Sequence, residues 1–487
     1  MAVCKRLLGL ALSLCVLAAA AFAASASAGR PLSTGFEIHR TYPDGTPDHL
    51  SWQYQKAHAA GAQFVRLVAY WDSLEPSEGS YEWATLDDLV NRARAARLQP
   101  LVTIVKAPSW AERSDCGTTP SPTSSCNPDP IKFGEFARAL ANHYRGRVRH
   151  WEVWNEPNLS WFLRPQQKDG KWYSPILYRQ LLNRFASAVH AVDASATVVA
   201  GATAPFRHGT QPGPLPFMRG VLCLTGKNKP ACRAKSQMDA WSTHPYTSGG
   251  PTHKAANVGD VSLGDLPAMH RVLRAAIAAH HIVDRRWRPH SARFWVTEFG
   301  WDSKGPDPVA VPMRLHARWT SEALYRSWRA GVSVFIWHQM RDRPFPSNPY
   351  QAGLFFCGRA GLSDEDQCGT SGFNYSSSVR KLSWQAFHFP FVAYAGNGRL
   401  RLWGRAPGAA PGRRIVIERK TSGGWRRVTT TTSNRVGIFA KTIRYSRTRG
   451  FVRARIGTAT RSLRFSLVRP PDRSISPFGC GGRVPCP

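Results

Sequence analysis

Two glutamates stand where an apolar strand should end. His150-Trp151-Glu152-Val153-Trp154-Asn155-Glu156-Pro157-Asn158 has bulky, mostly apolar residues at 151–154, as in a strand buried on both faces. Pro157 has no N–H for a sheet ladder, so pairing must stop beside it and leave the Glu156 carboxylate at the lip, next to the Asn155 amide. Ala292-Arg293-Phe294-Trp295-Val296-Thr297-Glu298-Phe299-Gly300-Trp301 has the same form, delivering Glu298 just before a glycine. Two carboxyls in one aromatic-lined bowl do not have equal pKa values: one stays ionised while the other tends to hold a proton. Glycosidic bond cleavage needs that division, an acid for the leaving oxygen and a carboxylate for the anomeric carbon.

The elements around these stretches alternate. Gly35–His39 is a candidate first strand and 47–60 a capped helix leading to the strand Phe64–Val68. An amphipathic helix over 84–98 precedes the apolar strand Pro100–Val105, and a helix over 130–145 precedes the Glu156 strand. A helix near 174–193 leads to the strand Thr197–Gly201, and Asp239–His244 is the sixth strand. Helices over 262–281 and 311–330 lead to the Glu298 strand and to Val332–Trp337, and a last helix near 378–388 ends at Pro390. Eight strands, nearly all followed by helices, predict parallel pairing and an α/β fold, a (β/α)8 TIM barrel with enlarged loops over residues 29–394. A doubly wound open sheet would want a glycine-rich turn after its first strand, and none is present.

Beyond 395 the pattern changes to short alternating runs such as Arg399–Trp403 and Phe451–Ile456, separated by turn residues. A small β-sandwich (Ig-like) domain over 395–470 is expected, followed by a Pro/Gly-rich tail at 471–487. At the other end, Lys5-Arg6, an apolar run from Leu7 to Ala23 and Ala26-Ser27-Ala28 read as a secretory signal over residues 1–28. No other run is long enough to span a membrane, so a secreted, extracellular protein is expected.

Cysteine usage agrees with export. Outside the signal the cysteines fall into close pairs: Cys116 with Cys126, Cys223 with Cys232, Cys357 with Cys368, and Cys480 with Cys486. Each pair is able to close a short loop as a disulfide. Zinc would want tighter Cys spacing and His partners. No H-E-x-x-H run occurs either, so no metal and no cofactor is expected. The formal net charge is +34, from 65 Lys+Arg against 31 Asp+Glu. Basic residues are dispersed along the chain, so a diffuse basic surface is the first reading, and attraction to an anionic wall or polysaccharide the second. An exported chain without a binding motif is not expected to bind nucleic acid.

In a parallel barrel the strand C-termini converge on one face, which would gather Arg66, Asn155, Glu156, His244, Tyr246, Glu298 and Trp337. Asn155-Glu156-Pro157 on strand four and Glu298 on strand seven resemble the large barrel clan of retaining glycoside hydrolases. His244-Pro245-Tyr246, Trp337, Arg66 and the run Trp71…Glu75-Pro76…Gly79…Tyr81…Trp83 share the likeness. Families 39 and 5 are the most similar. The resemblance implies Glu156 as acid/base and Glu298 as nucleophile, Asn155 on the sugar 2-hydroxyl and Trp337 as the platform under the reacting sugar. It also implies that His244 lines the site, and that Arg66 and Tyr246 hold Glu298 ionised. A carboxyl separation near ~5–5.5 Å follows for the retaining geometry.

Other readings stand beside these. Glu152, deeper on the strand, is expected as a paired interior carboxylate, and Arg66 serves either that pair or the site. Trp110 is a subsite wall or loop packing; His39 is undecided. The sequence therefore points to a secreted retaining enzyme acting on a β-linked carbohydrate. Its alternative is a glycan- or wall-binding protein on a barrel that no longer turns over.

Overall fold

The computed structural model describes residues 29–38, 47–113, 116–117, 121–305, 307, 310–346, 350–358, 368, 378–470 and 475. The expected signal and His39 lie outside the described residues. The chain divides into two compact units, one holding Ser33–Phe387 and the other His388–Pro470.

Eight parallel strands close the first unit into a barrel: β1 (Ser33–Glu37), β2 (Phe64–Tyr70), β3 (Gln99–Val105), β4 (His150–Val153), β5 (Thr197–Thr203), β6 (Ala240–Thr243), β7 (Arg293–Val296) and β8 (Val332–His338). β1 pairs with both β2 and β8, so no edge is left open. The longer helices between them are α1 (Pro47–Ala59), α2 (Ala84–Ala95), α3 (Pro130–His143), α4 (Ser174–Val192), α5 (Leu266–Ala278) and α6 (Met313–Ala330), with α7 (Leu382–His388) after β8; shorter ones span Trp71–Leu74 and Pro214–Val221. Local chemistry sets their ends. Asp129 accepts from the Ile131 N–H while Pro130 opens α3, and Gly331 closes α6 at φ 104°. α2 buries Leu86, Leu89, Val90 and Ala93, one stripe at helical spacing.

Register explains the barrel interior. Gly35 lies opposite Phe64 and Ile336, and two residues further along Glu37 lies opposite Arg66 and His338. Arg66 lies opposite Leu101, Thr103 opposite Glu152, and Glu152 opposite Val199. Paired residues share a face, and neighbours along a strand alternate. The interior is therefore layered. Phe64, Leu101, Val199, Ala240, Trp295, Val334 and Ile336 form a buried apolar floor, the large members contributing roughly 1.5–3 kcal/mol each. One step up come Glu37, Arg66, Thr103, Ser242 and His338, a buried polar layer. Gly35 is required by the floor, because a Cβ there would lie 2.5 Å from Ile336 Cδ1.

Three of the four expected disulfides are present: Cys116–Cys126, Cys223–Cys232 and Cys357–Cys368, with Cα–Cα distances of 5.7, 5.4 and 5.3 Å. The fourth expected bond, between Cys480 and Cys486, is not among them, because both Cys480 and Cys486 lie outside the described residues. No helix among the described residues is long and apolar enough to cross a membrane.

The second unit is antiparallel. One sheet joins β9 (Phe391–Gly396), β10 (Arg399–Arg405) and β13 (Ile438–Arg444). The other joins β12 (Gly424–Thr432), β11 (Arg414–Thr421) and β14 (Phe451–Ile456), extended by the short strands Thr460–Arg461 and Phe465–Ser466. Leu400, Ile415, Ile417, Phe439, Val452 and Ala454 are buried at alternate positions, the half-buried pattern of a sandwich. Its first strand starts at Phe391, a few residues before the alternation becomes visible in the sequence.

Candidate active site

The polar layer is built around one arginine. Arg66 is completely buried; its Nε donates to Glu152 Oε2 at 2.8 Å and its NH2 to Asn155 Oδ1 at 2.8 Å. NH1 reaches Glu37 Oε2 and Glu298 Oε2, each at 2.9 Å. Burial alone would lower its pKa, but the Glu152, Glu37 and Glu298 carboxylates outweigh that and hold it well above the usual arginine value. Glu152 is the interior partner expected of it. Burial would raise its pKa, but Arg66 and then His244 overcome this, and its net shift is downward. Thr103 and Ser242 hydroxyls donate to its two oxygens at 2.7 and 2.8 Å. Arg66 thus serves the interior pair and the rim at once.

Above this layer the chain turns sharply. Trp154 and Glu156, flanking Asn155, have φ of 68° and 41°, a conformation that L residues adopt at a cost of about 1–3 kcal/mol. Two barrel hydrogen bonds hold the turn: Trp154 N–H to Ile104 O at 2.9 Å and Glu156 N–H to Ala202 O at 2.8 Å. The result places the Asn155 and Glu156 side chains half-buried at the rim, while Trp151 and Trp154 pack into the core.

His244, fully buried after β6, joins the two rim carboxylates. Its Nδ1 lies 3.0 Å from Glu156 Oε1 and 3.8 Å from Glu298 Oε2. Those two legs bound the oxygen–oxygen separation at about 7 Å, which admits the ~5–5.5 Å spacing of a retaining pair. Burial would lower the His244 pKa, but Glu298 and the hydrogen bond to Glu156 reverse this and raise it. Tyr246 donates its hydroxyl to Glu298 Oε1 at 2.8 Å, and burial pushes the Tyr246 pKa well up.

Glu298 departs from expectation. Arg66 and Tyr246 both contact it, yet its pKa lies above the ordinary carboxylate value. Burial and then the Glu37 carboxylate push it up, against His244, His338 and Arg66. Arg66 divides one charge among three carboxylates, so it cannot by itself hold Glu298 at a low pKa.

Trp337 is not brought to the site. It lies opposite Phe36 in the register, facing away from Glu37, and is completely buried. Its ring packs against His316 of α6 and Phe387 of α7, and its indole N–H donates to Ala352 O at 2.7 Å. A sugar cannot rest on it. The β8 residue that shares the inward face is His338, whose Nδ1 lies 3.5 Å from Glu37 Oε2. Sequence reading missed both Glu37 and His338. Their signal was parity: Glu37 and Arg66 sit on strands whose apolar neighbours point the other way.

The run from Trp71 to Trp83 braces the loop. Glu75 accepts from the Trp71 indole at 2.7 Å and the Gly79 N–H at 2.9 Å, and the Trp110 indole donates to Glu75 O at 3.2 Å. Trp110 is therefore held as loop packing. Glu37, Glu298 and His338 present ligand atoms within 4.8 Å of one another, enough to hold a metal ion. The Arg66 guanidinium already bridges both carboxylates, and a divalent ion would have to displace it.

No protein-family model matches this chain. Among solved structures, a family 39 glycoside hydrolase from the gut symbiont Bacteroides cellulosilyticus WH2 is 17% identical, with a TM-score of 0.54 over 86% of this chain and 82% of that one. A monomeric beta-xylosidase from Caulobacter crescentus CB15 is 18% identical with a TM-score of 0.47, covering 89% of this chain and 96% of the other. The family 39 enzyme from Xanthomonas axonopodis pv. citri is 16% identical with a TM-score of 0.45, covering 86% and 93%. In fold, a (β/α)8 barrel with a β-sandwich, this chain resembles the family 39 glycoside hydrolase of Bacteroides cellulosilyticus WH2.

Proposed function

We propose that this chain is a secreted retaining O-glycoside hydrolase that cleaves β-glycosidic bonds by double displacement. The observation that carries the reading is the pair of rim carboxylates, Glu156 and Glu298, facing one imidazole nitrogen. Two carboxyls this close are suited to opposite protonation states, one giving a proton and the other attacking.

In the first step Glu298 attacks the anomeric carbon, and Glu156 gives its proton to the departing glycosidic oxygen. The glycosidic bond breaks and a glycosyl ester forms on Glu298. Glu156, now a carboxylate, takes a proton from water as that water attacks the anomeric carbon. The ester opens and both groups return to their starting states. Asn155 meets the sugar 2-hydroxyl in this reading, a role supported by its fixed orientation, since its Oδ1 accepts from Arg66 NH2. Arg66 and Tyr246 orient the two oxygens of Glu298. His244 keeps Glu156 aimed through its Nδ1. The disulfides support export, since such bonds persist in oxidising compartments.

The test is a product-detecting screen over β-glucans, xylans, mannans and bacterial exopolysaccharides. It is followed by NMR of the first-formed anomer and by the two variants Glu298→Ala and Glu156→Ala. Retention of configuration is expected. Glu298→Ala abolishes turnover, while Glu156→Ala keeps it only on aryl glycosides whose leaving group needs no proton. Wild-type activity in both variants, or binding of an oligosaccharide with no cleavage product, would overturn the reading.

A further inference from the structure

The positive charge is not evenly spread. Residues 388–470 hold seventeen arginines and two lysines but one carboxylate, Glu418. About a sixth of the chain thus carries 19 of its 65 basic residues and one of its 31 acidic ones. Glu418 is already taken, accepting from Arg453 Nε and Arg455 Nε at 2.8 Å each. A diffuse, compositional surplus would place acids among the bases here as it does in the barrel.

The strand register adds to this. Arg399 on β10 lies directly opposite Arg444 on β13, and Arg419 on β11 lies opposite Arg426 on β12. Like charges at opposed positions destabilise a sheet, and a bound anion would relieve that repulsion. One of these pairs lines a pocket. Asn397 and Gly398, with φ of 51° and 66°, form the two-residue turn between β9 and β10, and Tyr445 N–H donates to Gly398 O at 2.8 Å. Around that turn Asn397, Arg399, Arg444, Tyr445, Ser446 and Arg447 line an open pocket of about 640 Å³.

We propose that the pocket of Arg399, Arg444 and Arg447 binds the carboxylates of an acidic polysaccharide. A guanidinium presents a planar fork that matches a carboxylate, and three of them, at the start of β10, the end of β13 and the loop after it, give spacing as well as charge. Tyr445 offers one ring for a sugar face, while Asn397 and Ser446 offer neutral polar groups suited to hydroxyls. Single-stranded nucleic acid would want a series of aromatic platforms, and this pocket has one. This inference goes beyond the proposed hydrolase activity and does not depend on it.

The experiment uses the full chain and sodium polygalacturonate as the probe, with dextran of similar length as the uncharged control and duplex DNA as a second polyanion. Affinity electrophoresis or calorimetry across a NaCl series reads binding, and circular dichroism confirms that each variant is folded. Binding to polygalacturonate is expected to weaken with salt. It should fall about tenfold or more in the triple variant Arg399→Ala/Arg444→Ala/Arg447→Ala, a change of about 1.4 kcal/mol or more. A control triple of exposed barrel arginines, Arg138→Ala/Arg145→Ala/Arg274→Ala, removes the same charge and should leave it unchanged. If the sandwich triple does not fold, Arg444→Gln alone, which keeps a polar tip, carries the comparison and should show a several-fold loss. Equal losses in both triples, equal binding to dextran, tighter binding to duplex DNA, or no binding to polygalacturonate would each overturn the proposal.

Discussion

His244 holds Glu156 through a single contact, Nδ1 to Oε1 at 3.0 Å, from a ring that is fully buried. The same nitrogen faces Glu298 at 3.8 Å, so the imidazole fixes the line along which the two acids meet. His244→Ala should therefore lower kcat by about 10²–10³, within the range for positioned acid–base groups. The loss should be larger on glycosides with poor leaving groups, where protonation by Glu156 matters most. A uniform loss across a leaving-group series would assign His244 a purely structural part.

Glu37 raises the pKa of Glu298, the proposed nucleophile. Burial raises the Glu298 pKa first and the Glu37 carboxylate raises it second. Activity that needs ionised Glu298 falls as pH drops through that raised value, so the acidic limb of the kcat/KM profile should lie above the ordinary glutamate pKa. Glu37→Gln removes one negative charge and leaves Arg66 one acid fewer to serve. The acidic limb should then move to lower pH while the alkaline limb stays in place. A limb that does not move would show that burial alone sets the Glu298 pKa.

Arg66 is the only cation in direct contact with Glu152 among the described ion pairs, and both are fully buried. Arg66→Met leaves Glu37 and Glu152 in the interior without their cation and should cost about 3–5 kcal/mol, read as a lower urea midpoint. Adding Glu152→Gln to that variant should recover part of the loss. If the double variant is less stable than Arg66→Met, the pairing account fails.

Trp337 separates packing from recognition. Buried between α6 and α7 side chains, it should behave as a core residue, with Trp337→Ala costing about 3–5 kcal/mol in thermal or urea denaturation. KM of the folded fraction should hold near wild type. A KM rise without loss of stability would return Trp337 to the sugar.

Asp302 sets a pH dependence of stability apart from catalysis. Burial raises its pKa to about 7, with Asp307 and Asp342 adding to the effect and the Gln351 N–H opposing it. Lys381 is bound nearby, donating to Asp342 Oδ1 at 2.6 Å, Ser303 Oγ at 2.8 Å and Gln351 O at 2.9 Å. The folded state therefore holds a proton that the unfolded chain, with an aspartate pKa of about 3.9, gives up sooner. Stability from this group is present below about pH 4 and is lost as pH rises to about 7, a change of roughly 4 kcal/mol. Asp302→Asn keeps an oxygen for the Gln351 N–H and should flatten the Tm profile over that range. An unchanged slope would refute the assignment.

The barrel was legible because its strands are continuous apolar runs bounded by Pro, Gly and charge, a strong local signal. Glu156, Glu298, Asn155, His244 and Tyr246 could be read as a group because each lies within three residues of a strand end; Arg66 was read with them but sits inside β2, one layer deeper, and reaches them through its long side chain. Trp337 and His338 could not be told apart in the same way. They are neighbours, and only the register against β1 decides which faces inward. Glu37 was hidden for a related reason: a lone carboxylate on a five-residue strand acquires meaning only when paired with Arg66. The charge concentration was in the sequence throughout, but opposed arginines become visible only with strand pairing.

One guanidinium ties together side chains from β1 and β2 and from the ends of β4 and β7. Half the circumference of the barrel thus shares a single fastening, and Glu298 cannot loosen without slackening the wall that carries it. Heat should for this reason bring on inactivation and melting at one temperature, with no warm, inactive but still intact form in between.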